Sequence, residues 1–286
     1  MANVYAGYMG LATVDGTNVR CTAFNINPTQ TPSFYDHVIG VNDTIPTDSS
    51  TKGEEVGVIQ TQRTLWRPSP IIINGSMSFP ATEETSSLLF DHAKYGTYIT
   101  EINFVHYCEA SKTYFNCRVN TYNFSVSSGD IVNITSELYA RDIQDGTNLN
   151  QYTDAQKLIT WDKVTVNISP SLGTGINLEG INFNVNNNLV PIYTSDPTLI
   201  DPSITNKLYP ADLRLGMQHV SGNLLIYLRK GTTLLNISTA ITTISISCPG
   251  FSTTINVILT PEQIEGIIGP VITTIPFVGV DKAFGE

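Results

Sequence analysis

The fold of this chain is decided by a stretch of sequence that occurs twice. Residues 16–27 read GTNVRCTAFNIN and residues 173–184 read GTGINLEGINFN, and the two align without a gap. The glycine, the threonine and both asparagines are identical, and apolar residues occupy the same four places. Residues 74–79, NGSMSF, and residues 221–226, SGNLLI, match further along in the same order. The sequence therefore predicts a tandem duplication.

The duplication predicts two related domains, residues 1–145 and 150–286, with the boundary in a polar, aperiodic linker that starts at Asp142. Asn25 would then be equivalent to Asn182, and Cys108 would lie near the place of Cys248. If strands rich in Asn and Thr align by composition alone, the two halves should instead have unrelated topologies.

Alternation of apolar and polar residues with a period of two dominates both halves and predicts a mainly β fold. In residues 71–79 this alternation places Ile73, Met77 and Phe79 on one face of a strand. The expected architecture is two tandem, related β-sandwich or barrel domains, with one helix in the first domain.

Residues 82–95 predict that helix. Thr82 is a suitable N-cap, acidic residues follow it at the positive end of the helix dipole, and Gly96 can end the helix with positive φ. An apolar stripe that includes Leu89 would lie on a sheet. Only residues 229–235 fill the corresponding place in the second half, so we expect the helix to be shortened or absent there.

The charge of the chain argues against nucleic-acid or membrane binding through basic patches. Fifteen Lys and Arg against 25 Asp and Glu give a net charge of −10, whereas phosphate binding needs clustered cations. Charged residues make up 14% of the chain, below the roughly 25% that is usual for soluble domains. Such a weakly charged surface suits a subunit that is surrounded by copies of itself.

The four cysteines form no zinc or redox motif, because no pair has the C-x-x-C spacing. Cys108 and Cys117 flank a predicted turn and are spaced to face each other across a hairpin; the favoured interpretation is four free, packed thiols. The sequence begins MANVY without a leader pattern, which favours folding in a reducing cytoplasm.

Residues 264–280 are apolar but contain two prolines, and are interpreted as a loop and a buried strand.

The sequence predicts no enzyme, cofactor or metal site. His37, His92, His106 and His219 pair with no other His, Cys or carboxylate at metal-ligand spacing. Nucleophile-elbow, P-loop and dinucleotide-binding motifs are absent as well. We therefore name no catalytic, cofactor-binding or metal-binding residue.

The first half resembles the phage tail tube protein family. The resemblance rests on a β domain of about 140 residues with one helix between strands, a long loop near its start and a final hairpin, VSSGDIVNI, at residues 126–134. The fold of that family is shared with the tube protein of type VI secretion systems. The second half resembles the fold mainly through its likeness to the first.

The resemblance implies a structural virion protein of the tail, assembled in the host cytoplasm, whose domains form rings that stack into a hollow tube. DNA would pass through the tube into the host without specific binding. Two domains per chain allow either three chains in a pseudo-sixfold ring or six chains with the second domain placed elsewhere. Tail sheath, tape measure and baseplate proteins are the expected neighbours besides other copies, and no membrane is expected as a partner.

Several functional questions stay open at the level of sequence. A baseplate protein that initiates the tube and a sugar-binding, adhesin-like β-sandwich module are the alternatives. Two long irregular stretches, residues 41–67 and 194–210, are expected to have a role, the first in contacts between subunits. The channel wall is expected to carry more Asp, Glu, Asn, Ser and Thr than Lys and Arg, because cations would hold the passing phosphates.

Overall fold

The protein is mainly β, as predicted. The computed structural model describes residues 10–30, 33–38, 62–67, 69–106, 111–146, 157–194, 206, 208–234, 241–260, 271–280 and 283–284. Within them one α-helix, α1, spans Phe90–Tyr95 and one 3-10 helix spans Trp161–Lys163. The strands are β1 (Gly10–Val14), β2 (Thr17–Cys21), β3 (Ala23–Phe24), β4 (Asn27–Gln30), β5 (Ser33–Val38), β6 (Gln62–Arg67), β7 (Ile71–Pro80), β8 (Ile99–His106), β9 (Lys112–Ser127), β10 (Asn133–Ala140), β11 (Asp142–Asp145), β12 (Thr165–Ser169), β13 (Gly173–Asn186), β14 (Val190–Ile192), β15 (Asp212–Arg214), β16 (His219–Leu234), β17 (Thr242–Cys248), β18 (Phe251–Leu259) and β19 (Val271–Gly279).

One long antiparallel sheet runs through both halves of the chain. Its strands lie in the order β12, β17, β18, β19, β16, β13, β9, β10, β7 and β3, with β4 also paired to β7. At its centre β13 pairs with β9, from Gly180 opposite Ser127 to Asn186 opposite Thr121. This pairing joins the first and second halves of the chain in a single sheet.

A smaller group of strands branches from the large sheet at β9. The start of β9 pairs with β8 and β11, whereas its later part pairs with β10 and β13. β8 pairs in turn with β1, which pairs with β2. Ile102 of β8 and Phe79 of β7 are fully buried in the same apolar cluster, so the branch and the large sheet share one core.

The order of pairing is the same on both sides of the β9–β13 junction. Followed from strand to neighbouring strand, the first half runs from β3 and β4 through β7, β10, β9 and β8 to β1. The second half runs in the same way from β13 through β16, β19, β18 and β17 to β12. The repeated sequences lie in corresponding strands, since residues 16–27 extend over β2 and β3 into β4 and residues 173–184 lie in β13. The division into domains 1–145 and 150–286 stays a prediction.

Two glycines in the matched segments NGSMSF and SGNLLI allow main chains to approach closely. A Cβ added to Gly75 would lie 2.3 Å from the Asn25 carbonyl oxygen, and one added to Gly222 would lie 2.3 Å from that of Asn182. Both contacts are with main-chain atoms that cannot move aside, so each position requires glycine.

α1 is shorter than the sequence predicted. Residues 82–89 form successive turns, and the expected cap, Thr82, lies in an isolated bridge with Leu158. The Thr85 hydroxyl accepts a 2.9 Å hydrogen bond from the Thr82 N–H, so side-chain bonding competes with the helical pattern. Gly96 ends the helix with a φ of 62°, as predicted.

The predicted linker was placed too early. Residues 142–145 form β11 and pair with the start of β9, because an available strand partner outweighs a polar local pattern.

Residues 229–234 continue β16, so the described part of the second half has no counterpart of α1. β19 confirms the predicted buried strand, with Phe277 only 1% exposed. None of the described helices combines the length and the apolar character that crossing a membrane requires.

Cys117 lies opposite Ile99 in the β8–β9 pairing, whereas its predicted neighbour across a hairpin, Cys108, is outside the described residues. Cys21, Cys117 and Cys248 are free thiols. Burial raises the pKa of the first two thiols far above the usual range and raises that of Cys248 to about 11.

An aromatic cluster beneath α1 connects the two halves. The Phe90 ring lies 5.4 Å from the Tyr122 ring of β9, 6.0 Å from Phe183 of β13 and 5.0 Å from Phe251 of β18, measured between centroids. Phe124 stacks with both Phe183 and Phe251. Helix and sheet from both halves therefore share these contacts.

Phe90→Ala should lower the free energy of unfolding by about 3–5 kcal/mol, because it leaves a cavity among four aromatic rings. Urea unfolding of unassembled protein measures this. Tyr95→Ala on the same helix is the control, since Tyr95 is 57% exposed and its loss should cost less than about 0.5 kcal/mol. Equal losses in the two variants would contradict the described packing.

Candidate functional site: the outer face of the large sheet

The large sheet has one face in the core and one face of short polar side chains. In β10, Ile134 and Leu138 are fully buried, whereas Asn133 and Thr135 lie on the opposite face. Neighbouring strands keep this alternation in register from β12 to β7. We call the face opposite the core the outer face.

The outer face consists mainly of amide and hydroxyl side chains. Among the outer-face side chains that the structure describes, and apart from Glu179 at the bulge in β13, Glu137 is the carboxylate, Lys does not occur, and Arg118 lies where the face ends. β16 continues past Tyr227 with Arg229, whose side chain is outside the described part of the chain. Apolar side chains are confined to β16, β18 and β19, together with Tyr139 of β10. Its residues are Thr165, Asn167 and Ser169 of β12; Thr243, Ser245 and Ser247 of β17; Ser252, Thr254, Asn256 and Ile258 of β18; Ile272, Thr274, Pro276 and Val278 of β19; His219, Ser221, Asn223, Leu225 and Tyr227 of β16; Asn182, Asn184 and Asn186 of β13; Thr121, Asn123 and Ser125 of β9; Asn133, Thr135, Glu137 and Tyr139 of β10; and Asn74, Ser76 and Ser78 of β7.

Hydrogen bonds between strands connect the polar side chains of the outer face. The hydroxyl oxygens of Ser78 and Thr135 are 3.0 Å apart, and those of Ser245 and Thr254 are 3.2 Å apart. Glu137 accepts a 2.7 Å hydrogen bond from the Asn120 side-chain amide. The face is therefore polar enough to be hydrated, but it offers almost no fixed charge to a charged ligand.

At one end the outer face is covered by the β14–β15 hairpin. Arg118, opposite Tyr139, places its guanidinium 3.9 Å from the centroid of the Tyr98 ring and donates to the Leu213 carbonyl of β15. The Tyr98 hydroxyl donates to Asp212 at 2.6 Å and accepts from the Leu213 N–H at 3.2 Å. Burial opposes the charge of Asp212, but the bonds from Tyr98 and Leu213 and the charge of Arg118 lower its pKa overall. A hairpin of the second half is thus fixed on the first half.

The histidines named in the sequence analysis are not brought together. His92 Nδ1 lies 2.9 Å from the Thr97 hydroxyl and His92 Nε2 lies 3.6 Å from Asp15, while His219 stands alone on the outer face. The side chains of His37 and His106 are outside the described part of the chain. Within that part, no group of three His, Cys, Asp or Glu is arranged to hold a metal ion.

The described residues thus form a continuous sheet whose open face carries mainly uncharged, polar side chains. A family model described as phage tail tube protein matches residues 2–281, nearly the whole chain. The chain therefore belongs to the phage tail tube protein family and is a structural component of the phage tail that assembles with copies of itself. The predicted resemblance is confirmed. No curated protein matched the chain.

The free protein should not retain duplex DNA, because the described side chains of its outer face include no cluster of cations that could pair with phosphates. The double variant Asn123→Lys/Asn184→Lys places two cations directly opposite each other on this face. It should bind DNA in a gel-shift or anisotropy assay, with an affinity that falls as salt rises from about 50 to about 200 mM. Tight, salt-sensitive binding by the wild type would contradict the described face.

Proposed function

We propose that the protein is a tail tube subunit whose copies form rings that stack into a tube, and that the outer face of the large sheet lines the channel. DNA passes through this channel into the host without specific binding. The subunit acts by its shape and surface, so the role requires no catalytic group, cofactor or metal.

The composition of the outer face carries this proposal. DNA that slides over a wall with many cations exchanges its counterions for protein contacts and is held at each of them. A wall of amides and hydroxyls with Glu137 as its main charge repels the backbone weakly and leaves no deep trap. The opposite face of the sheet is the apolar core and is not available for this role.

Cations on other described surfaces support the same assignment. Lys112 of β9 forms a 2.6 Å ion pair with Asp145 of β11, on the branch away from the outer face. Lys163 lies beside Asp162 in the 3-10 helix at 3.2 Å. These two lysines therefore belong to the branch and to the 3-10 helix, and not to the strands of the outer face.

Electron cryo-microscopy of the purified, assembled protein tests the function. We expect stacked rings with an axial channel, and a channel wall that contains Asn123, Asn184 and Thr254. Protein that stays monomeric at every concentration would contradict the proposed tube. Tubes with a channel lined by β1 and β2, or by a wall of net positive charge, would contradict the assignment of the outer face.

A further inference from the structure

We propose that the junction between the two halves of the chain is repeated between copies: the first half of one copy docks on the second half of the next. The partner is a second copy of this chain, and the proposal rests on the proposed ring assembly. Three corresponding features of the two halves support it: a sheet edge, a hairpin and a row of side chains.

The first feature is the open edge of β4. In the second half, β13 is paired on both sides, with β16 and with β9. In the first half, the corresponding strand β4 pairs with β7, and no other described strand lies beside it. The registers agree, because Asn27 lies opposite Asn74 as Asn184 lies opposite Ser221. β4 therefore presents the edge that β13 uses within the chain.

The second feature is the hairpin that follows this strand in each half. β14 and β15 follow β13 and are fixed on the first half through Tyr98 and Arg118. β5 and β6 follow β4 in the same way, and among the described strands they pair only with each other. The β5–β6 hairpin thus corresponds to one that already serves as a clamp between halves.

The third feature is the row of side chains on which that clamp rests. In the first half Tyr98, just before β8, is followed across the sheet by Arg118 of β9 and Tyr139 of β10, which lies opposite Asn74. The second half has Ile241 before β17, Ile258 of β18 and Val278 of β19, ending opposite Ser221. These three apolar side chains are 60%, 37% and 41% exposed, respectively.

The contrast between the two rows identifies the site that the neighbour covers. In the first-half row, Tyr98 and Arg118 bond to β15 of the same chain, whereas the second-half row is apolar and partly exposed in the single chain. Removing Ile241, Ile258 and Val278 from water would stabilise an assembly in proportion to the area they bury. We therefore assign this row as the docking site for the β5–β6 hairpin of the next copy.

Pro28 makes the open edge selective. It occupies the position in β4 that Val185 occupies in β13, and it has no N–H to offer a partner strand. The Ile26 carbonyl already accepts a 2.9 Å hydrogen bond from the Tyr114 hydroxyl. The β4 edge alone therefore binds an unrelated strand weakly. Stable binding also requires docking of the β5–β6 hairpin.

This arrangement also settles how many chains a ring contains. If the junction within the chain and the junction between chains are alike, each chain contributes two successive units to the ring. A ring of six units then contains three chains, which decides between the two stoichiometries that the sequence left open.

One experiment compares two substitutions on β18, using the full chain. Ile258→Asp puts a carboxylate in the docking row and should raise the concentration needed for assembly at least about tenfold. Thr254→Asp is the matched control, since it adds the same charge to the same face of the same strand, four residues earlier. Both variants should keep the circular dichroism spectrum of the wild type. Normal tubes from Ile258→Asp would overturn the docking row.

A cysteine pair tests the register between copies. Thr121 lies opposite Asn186 in the internal junction. Thr260 corresponds to Thr121, because Thr260 bonds to Pro276 and Thr121 pairs with Glu137 at the matching place. Thr29 corresponds to Asn186, because Thr29 lies opposite Ile72 and Asn186 lies opposite His219. Residues directly opposite on antiparallel strands are close enough for a disulfide.

Thr29→Cys/Thr260→Cys, in a background with Cys108→Ser and Cys248→Ser, should therefore form disulfides between copies on mild oxidation. Non-reducing gels should show covalent species that end at three chains, and neither single variant should form them. Thr121→Cys/Asn186→Cys is the positive control and should close within one chain. If tubes form and the control closes, but the pair stays monomeric, the junction proposal fails while the tube function stands. If the wild type forms no ring or tube, both proposals fail.

Discussion

The structure depends on one row of main-chain hydrogen bonds, the antiparallel pairing of β13 with β9. An unpaired strand edge exposes donors and acceptors that must find partners, and each half of this chain has such an edge. Pairing the two edges inside the chain continues the sheet without a break from β12 to β7. The aromatic contacts of Phe90, the continuity of the outer face and the position of the β14–β15 hairpin all follow from this pairing.

A continuous sheet also explains how an acidic chain can present an almost uncharged surface. Successive side chains point to opposite faces of a strand, so, outside the bulges in β9 and β13, the polar positions of ten strands fall on one side. Asn, Ser and Thr are short and bond to each other across strands, as Ser78 and Thr135 do. Apart from Glu137 and Arg118 on the outer face and Glu179 at the bulge in β13, the described charged side chains lie elsewhere, as Lys112 and Asp145 do on the branch.

The sequence predicted the features that depend on local pattern. The period-two alternation identified β7 and its buried residues, and Gly96 marked the end of α1. The two prolines in residues 264–280 argued against a spanning helix where β19 lies. The start of the helix was wrong, because no local rule shows that the Thr85 hydroxyl takes the N–H of Thr82.

Long-range pairing explains the remaining differences between prediction and structure. β11 forms because β9 lies beside it, although its own sequence, DIQD, is that of a polar loop. The outer face and the docking row combine residues from many strands, so neither appears as a contiguous motif. The sequence did show the scarcity of charge and the matched segments, and both features belong to the strands of this sheet.

The buried thiols have a consequence for the particle after it leaves the cell. A virion tail must persist in air-saturated water, where exposed cysteines are oxidised through their thiolate form. Cys21 and Cys117 have no exposed surface, and burial raises the pKa of both thiols, which disfavours the thiolate. Cys21 and Cys117 should therefore not form mixed disulfides during storage. In a particle assembled under reducing conditions, both should stay free thiols outside the host.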